Sequence, residues 1–301
     1  MAEISARAST PRPAQDYAAA MERLAALEAR DGDAVNGICR SYALTHGVMT
    51  ERAIVLAHGM TNCPYQYREL APLFFARGYN VLVPRLPRNG LRDLDTHALA
   101  GLTLREQMDA GNEMVDIARG LGRHVTVVGI SAGGTLVAWL AQQRADVGAA
   151  VIIAPLLGLL PALPILNTAA NLAMMRLIQV APNFMTQRVS PFTDGPPQSY
   201  RGFATRGLAS AMRLGARTLR LAARTAPQAR AILLMLNPAD PAVNNGMARE
   251  LLRRWRRHGA QANLYEFDAK RKLIHDVIDP AQVGQQTDYT YPILLEQITA
   301  L

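Results

Sequence analysis

The strongest chemical signal in this sequence is a serine between two glycines, Gly129-Ile130-Ser131-Ala132-Gly133. A β-branched run ends at Gly129, and a helical pattern begins just after Ser131. A strand that reverses sharply into a helix exposes its corner residue at the carboxyl edge of a sheet, and the crowded backbone there needs small neighbours. The pattern therefore predicts that Ser131 is a nucleophile, with Gly129 and Gly133 supporting the turn.

A serine nucleophile needs a base to take its proton and a carboxylate to orient that base. The chain has six histidines. His275 follows the last predicted strand, where its side chain could reach back over the sheet edge. His258 lies among arginines on a helix and is expected to face solvent. Asp240 follows a buried strand in a turn bounded by prolines, which favours it as the orienting acid, with Asp276 and Asp279 as alternatives for that role.

The order Ser131, Asp240, His275 is the chain order of the α/β-hydrolase fold. The sequence resembles that superfamily over nearly its whole length, and especially its carboxylesterase and monoacylglycerol-lipase-like members. A His58-Gly59 pair after a predicted strand also matches. The resemblance implies a serine hydrolase that works through a Ser-His-Asp triad and an acyl-enzyme.

The resemblance also implies an oxyanion hole, in which backbone N–H groups stabilise the negative oxygen of a tetrahedral intermediate. One N–H is expected from Ala132, the residue after the serine. The other is expected from Met60, which follows Gly59 in place of the glycine-rich triplet of some lipases. His58 is expected to be structural in this motif.

Predicted strands and helices alternate along the chain, which indicates α/β architecture: a doubly wound, mostly parallel sheet. A Leu-, Ala-, Met- and Pro-rich stretch interrupts that alternation and predicts an inserted helical cap. Reactive groups gather beyond the carboxyl ends of such strands, so the cap should cover them. The predicted organisation is an N-terminal extension and helix at 1–30, a core at 31–155 and 207–301, and the cap at 156–206.

The predicted strands are 38–44, 53–57, 80–83, the run ending at residue 129, 149–154, 231–236 and 262–267. The predicted helices are 16–30, 67–77, 104–120, 132–144, 208–224, 244–258 and one from about residue 289. Four apolar cap residues could line an acyl pocket or form the cap's own core: Met174, Met175, Phe184 and Met185.

The formal net charge of +8 is concentrated in one segment. Residues 159–230 contain nine arginines, one aspartate, no lysine and no glutamate. Four of these arginines form an arginine stripe on one face of a predicted helix: Arg213, Arg217, Arg220 and Arg224. Two interpretations fit the stripe: a solvated helix face, or a cationic surface near the site entrance that meets an anionic membrane or substrate. Nucleic acid is a poor fit, because the charges are not interleaved with aromatic residues.

Two cysteines, Cys39 and Cys63, do not make a disulfide framework in a chain of 301 residues. Reduced thiols and a cytoplasmic location are therefore expected, with Cys63 as a buried, inert thiol. Residues 1–15 show no apolar signal segment, and three prolines interrupt the longest apolar stretch. No metal-ligand cluster or phosphate-binding loop is visible, so no metal or cofactor is implied.

The predicted substrate is a small carboxylic ester with an apolar acyl group, and lipid-like esters belong to this class. A serine nucleophile argues against relatives that use aspartate, such as haloalkane dehalogenases and epoxide hydrolases. Thioesterase, amidase and peptidase activities remain alternatives because one triad serves all of them. A non-catalytic binding protein on the same fold is a further alternative, since fold does not determine function.

Overall fold

The computed structural model describes residues 8–158 and 195–301, together with residues 173, 177 and 185–187. A seven-stranded sheet forms its centre, in the order β1-β3-β2-β4-β5-β8-β9. The strands are β1 Tyr42–Leu44, β2 Thr50–Ala57, β3 Tyr79–Val83, β4 Gly122–Ile130, β5 Ala149–Ile153, β6 Met185–Gln187, β7 Gly202–Ala204, β8 Ala231–Leu236 and β9 Ala262–Glu266. Only β1 is antiparallel to its neighbour in this sheet. The predicted mostly parallel sheet is therefore confirmed.

Helices cover both faces of the sheet. They are α1 Tyr17–Ala29, α2 Leu70–Phe75, α3 Leu104–Leu121, α4 Ala132–Gln143, α5 Thr205–Ala222, α6 Asn245–Arg257 and α7 Thr287–Thr299. Alternate residues of a strand point to opposite faces, so Val55 packs in one core cluster and Ile54 in the other. Central strands buried on both sides explain the continuous apolar runs in the sequence.

Two predicted elements are much shorter in the structure. Of the helix predicted at 67–77, only the short α2 forms, and a 3₁₀ turn at Pro64–Tyr67 precedes it. Pro72 lacks a backbone N–H and is tolerated only in a first helical turn, which is where it lies in α2. The strand predicted at 38–44 begins only at Tyr42, because Gly37–Cys39 forms a 3₁₀ turn.

The two cysteines form a disulfide, so the expectation of reduced thiols is wrong. Cys39 and Cys63 are joined by a 2.09 Å S–S bond, and both are fully buried. The two 3₁₀ turns that carry or follow them pack together, a contact between distant segments that the sequence does not signal. The cytoplasmic prediction loses the argument from thiols on which it relied.

The predicted cap at 156–206 falls largely outside the described residues. Met174, Met175 and Phe184 lie there, and Met185 is described only as backbone in β6, which pairs antiparallel with β7. No helix in the described part of the chain is long and apolar enough to cross a membrane.

Candidate active site

Ser131 lies at the corner between β4 and α4, with φ +57° and ψ −117°. This positive φ is rare for a residue with a side chain and persists only where neighbouring structure enforces it. The Ser131 N–H donates to Ile153 O at 3.0 Å, and its carbonyl accepts from the N–H groups of Thr135 and Leu156. These backbone bonds hold the corner in its strained conformation.

The glycines on either side of Ser131 are sterically required. A Cβ on Gly129 would overlap the backbone of Gly133. A Cβ on Gly133 would overlap the Ala57 carbonyl at the end of β2. The backbone crowding expected from the sequence is therefore present, and the first turn of α4 packs directly on the sheet.

Asp240 and His275 meet at the carboxyl edge of the sheet. Asp240 Oδ2 lies 2.7 Å from His275 Nδ1. The other oxygen of Asp240 accepts from the N–H groups of Ala242 and Val243 at 2.8 and 3.3 Å. The Asp240 side chain is fully buried, whereas that of His275 is 24% exposed. Because the carboxylate accepts, Nδ1 carries the proton and Nε2 is left as the basic nitrogen.

The local charges favour a protonated His275. Burial lowers the pKa of this imidazole, but the hydrogen bond and charge of Asp240, with the charge of Asp276, outweigh that effect. The net result is a pKa raised above the ordinary value of 6.5. A base with a raised pKa accepts a proton readily, and the charge of Asp240 stabilises the imidazolium that forms.

Asp276, one alternative acid, is engaged elsewhere. Its Oδ1 accepts from the N–H groups of Ile278 and Asp279, each at 3.0 Å. Its Oδ2 accepts from Gln66 Nε2 at 2.8 Å and Gln282 Nε2 at 3.2 Å. Burial and the neighbouring charge of Asp279 raise the pKa of Asp276.

Asp279, the other alternative, is fully buried in a network of its own. It accepts from Arg68 Nη1 at 2.8 Å, Asn62 Nδ2 at 2.9 Å and Gln198 Nε2 at 2.8 Å. The structure therefore places Asp240 against the His275 ring, whereas Asp276 and Asp279 accept hydrogen bonds from other residues.

His58 controls the loop that carries Met60. The N–H of Leu86 donates to His58 Nε2 at 3.0 Å, so this nitrogen carries no proton and Nδ1–H donates to Gly59 O at 2.8 Å. Burial lowers the pKa of His58 to about 4, which keeps the ring neutral. Because a trans peptide points its C=O and N–H in opposite directions, holding Gly59 O orients the Met60 N–H.

Further contacts hold this loop over Ser131. Asn89 Nδ2 donates to the carbonyls of Met60 and Asn62. Gln66 Oε1 accepts from Gly59 N–H at 2.9 Å, and a Cβ on Gly59 would lie 3.8 Å from Ser131 Cβ. Among the described residues, neither the N–H of Met60 nor that of Ala132 has an acceptor. Both are thus available to a ligand.

Ser131, His275 and Met60 line one cavity of about 230 Å³. Neither the Ser131 hydroxyl nor His275 Nε2 has a hydrogen-bond partner in the part of the chain that the structure describes. Apolar side chains contribute much of the lining: Ile130, Leu156, Phe203, Leu208, Ala242 and Val243. Polar side chains complete it: Thr61, Asn62, Gln66, Ser199, Asp276 and Gln282. The cavity can therefore accept a substrate that is partly apolar and partly polar.

The arginine stripe lies along α5, and its exposure is uneven. Arg213 and Arg217 are half-buried, whereas Arg220 and Arg224 are exposed. Leu208, Met212 and Leu219 are buried on another face, as expected, but Ala223 is exposed.

The stripe also runs away from the cavity. α4 begins beside Ser131, and its 12 residues span about 18 Å. Near the far end of α4, Ala141 O accepts from the N–H groups of Gln228 and Ala229, just beyond Arg224. The end of α5 thus lies at the amino-terminal edge of the sheet, so the expectation that the whole stripe lies near the entrance is wrong.

Several contacts around the site were not foreseen from the sequence. Gln66 and Asn89 support the Met60 loop, and Tyr200 N–H donates to Thr61 O at 2.9 Å. Asn89 lies in the segment that follows β3. Its partners lie 27 and 29 residues away, so no local pattern could indicate them.

Solved structures share this fold at low sequence identity. The monoacylglycerol lipase of Paleococcus ferrophilus matches with a TM-score of 0.62 and 18% identity, over 87% of this chain and 99% of that one. A soluble variant of monoglyceride lipase from Saccharomyces cerevisiae, in complex with a substrate analog, matches with a TM-score of 0.63 and 13% identity. That match covers 86% of this chain and 90% of the yeast chain.

One curated relative matches at the sequence level. The thermostable monoacylglycerol lipase of Bacillus sp. (strain H-257) is 30% identical over 94 residues, which is 31% of this chain. The match spans 36% of the relative's own length. The model of the alpha/beta hydrolase family matches residues 54–276, well over half of the chain. The chain therefore belongs to the α/β-hydrolase family.

Proposed function

We propose that this protein is a serine hydrolase that cleaves carboxylic esters of apolar acyl groups. The observation that carries the proposal is the hydrogen bond between Asp240 and Nδ1 of His275, because it leaves Nε2 as the basic nitrogen of a residue that lines the same cavity as Ser131. The strained corner at Ser131 and the available N–H groups of Met60 and Ala132 support it.

In this mechanism, Ser131 Oγ attacks the ester carbonyl while His275 Nε2 takes its proton. Asp240 keeps the ring in the correct tautomer and stabilises the imidazolium. The oxygen of the tetrahedral intermediate accepts hydrogen bonds from the N–H groups of Met60 and Ala132, each worth about 3 kcal/mol. His275 then protonates the departing alcohol, and water attacks the acyl-enzyme by the reverse sequence.

The lining of the cavity supports an apolar acyl group. Each methylene buried against side chains such as Leu156, Leu208 and Val243 contributes about 0.8 kcal/mol. Medium-chain esters should therefore bind better than acetates. The sequence relative named as a thermostable monoacylglycerol lipase supports this proposal.

Chromogenic esters test the proposal. Hydrolysis of p-nitrophenyl esters from acetate to dodecanoate should rise from short to medium chains in the wild type. Ser131→Ala should lower kcat by several powers of ten, whereas Ser41→Ala, at a buried serine outside the cavity, should not. Matched thioester and anilide substrates distinguish the thioesterase and amidase alternatives. Retained ester turnover in Ser131→Ala would exclude the proposed mechanism.

Peripheral contact with an anionic membrane is a second proposal, based on the exposed arginines Arg220 and Arg224. Their position at the edge of the sheet opposite the cavity would dock the protein with its site facing away from the surface. Contact of this kind would localise the enzyme without presenting the cavity to the membrane. A cytoplasmic location stays a prediction.

A further inference from the structure

Asn237 directly follows β8, three residues before Asp240, and only 2% of its surface is exposed. Its side-chain oxygen accepts from the N–H of Ala239 at 3.0 Å. Its carbonyl accepts from the N–H of Asp240 at 3.1 Å. Asn237 thus organises the turn that carries the acid.

The amide nitrogen of the same side chain holds the loop of the base. Asn237 Nδ2 donates to Leu273 O at 2.7 Å and to Ile274 O at 3.2 Å. Ile274 directly precedes His275 in the chain. One planar amide therefore joins the residue before Asp240 to the residue before His275.

We propose that Asn237 is a positioning residue that sets the distance and angle between Asp240 and His275. Asp240 and His275 lie 35 residues apart, on loops that follow different strands. The direct contact between them is one hydrogen bond to a ring that is partly exposed to the cavity. The buried side chain of Asn237 is a second connection between the two loops, and it limits how far they can separate.

These hydrogen bonds require a side chain of the length of asparagine that has both a donor and an acceptor. A leucine of similar size would remove all three of these hydrogen bonds and leave the carbonyl of the buried Leu273 without its amide donor. An aspartate would accept from Ala239 but present only acceptors to the carbonyls of Leu273 and Ile274. A glutamine would place its amide one methylene too far, and a serine would be too short to reach the second loop.

Asn237 is itself held in place. Asn245 Nδ2 donates to the carbonyl of Asn237 at 2.7 Å, and the following residue is Pro238, which restricts the backbone. Because the amide nitrogen and the amide oxygen are both hydrogen-bonded, these contacts determine the orientation of the side chain. It can therefore hold the loop of His275 in a fixed position relative to the end of β8.

The test uses Asn237→Leu and the less disruptive Asn237→Ser in the full-length chain. Because displacements near 1 Å can cost about 100-fold in rate, kcat on a p-nitrophenyl ester should fall roughly 10- to 100-fold. KM should change less than about twofold, because the cavity is lined by other residues. A looser contact with Asp240 stabilises the imidazolium less, so the acidic limb of kcat/KM should move to lower pH.

Gln142→Leu is the matched control. Gln142 is a buried amide that donates to Ala226 O and accepts from Trp255 Nε1, at the opposite edge of the sheet. It should lose stability like the Asn237 variants but keep the wild-type kcat and pH profile. Wild-type kcat and pH profile in folded Asn237→Ser would overturn the proposal. A loss of rate with an unmoved acidic limb would also overturn it, because that pattern indicates a general structural effect.

The inference rests on the proposed function, and an NMR titration separates the two. The His275 imidazole can be titrated without substrate, with His275→Ala assigning the signal. A lower pKa of His275 in Asn237→Ser supports the positioning role even if Ser131→Ala shows that the ester mechanism is wrong. An unchanged pKa beside a fully inactive Ser131→Ala would reject the positioning role alone.

Discussion

The backbone N–H of Leu86 donates to Nε2 of His58 at 3.0 Å, and this contact determines which ring nitrogen carries the proton. The proton on Nδ1 then holds the carbonyl of Gly59 and orients the N–H of Met60. A neutral His58 is therefore part of the folded state, and its protonation must disrupt either the Leu86 contact or the fold.

The free energy of unfolding should consequently decrease at acidic pH, and part of this decrease should come from His58. Burial lowers the pKa of His58 from 6.5 to about 4, so the unfolded chain binds more protons between these values. The contribution of neutral His58 to the free energy of unfolding is complete above pH 6.5. It is lost as the pH falls towards 4, and the total loss is about 3 kcal/mol. Denaturant unfolding of wild type and His58→Asn at pH 4.5 and 7 should show a smaller pH effect in the variant. His258→Asn, at an exposed histidine, should keep the wild-type slope, and equal slopes in all three proteins would contradict this account.

The Asp240 carboxylate should matter far more than its buried neighbours. Asp240→Asn leaves the shape intact but favours the wrong tautomer of His275, so kcat should fall roughly 10³- to 10⁴-fold. Asp279→Asn, which disturbs a network without touching the ring, should lower kcat much less. Steady-state kinetics on one soluble ester compares them. High activity in Asp240→Asn would transfer the orienting role to Asp276 or Asp279.

The pH profile of the rate should report the raised pKa of His275. The base must be neutral, so the acidic limb of kcat/KM should lie above pH 6.5 in the wild type. Removing a negative charge in Asp276→Asn makes the imidazolium less stable, and the limb should move to lower pH. Asp288→Asn, at an exposed aspartate on α7, should leave it in place. A limb that moves upward or stays fixed in Asp276→Asn would show that this charge does not act on His275.

Vesicle binding tests the role of the arginines. Arg220 and Arg224, changed together to glutamine, should weaken sedimentation with anionic phosphatidylglycerol vesicles and leave turnover of a soluble ester unchanged. Binding by the wild type should decline with salt, because the Debye length falls to about 8 Å at physiological ionic strength. Neutral phosphatidylcholine vesicles are the control. If the double variant binds anionic vesicles as well as the wild type does, the stripe is a solvated helix face.

The sequence predicted the sheet well, because the signals were local. Continuous apolar runs marked β2, β4 and β8, and the glycines around Ser131 marked the corner between β4 and α4. Asp240 and His275 could be chosen because each follows a strand whose carboxyl end meets the same sheet edge. Their hydrogen bond required only that the strands lie in the predicted order.

What the sequence did not predict depends on contacts between distant segments. The disulfide joins cysteines 24 residues apart, one in a 3₁₀ turn and one just before another. Asn237 donates to carbonyls 36 and 37 residues away. Composition and periodicity contain no signal for such pairs. The prediction that the whole arginine stripe lies near the entrance was wrong for a different reason. The second half of α5 extends away from the site, and the direction of a helix depends on the three-dimensional path of the chain.

Covalent labelling of Ser131 tests the central claim most directly. A fluorophosphonate probe should add one adduct to the folded wild type, and peptide mass spectrometry should locate it on Ser131. Ser131→Ala should remain unlabelled, while Ser41→Ala should label like the wild type. No adduct on the wild type, or an adduct on another residue that survives in Ser131→Ala, would contradict the assignment of Ser131 as the nucleophile.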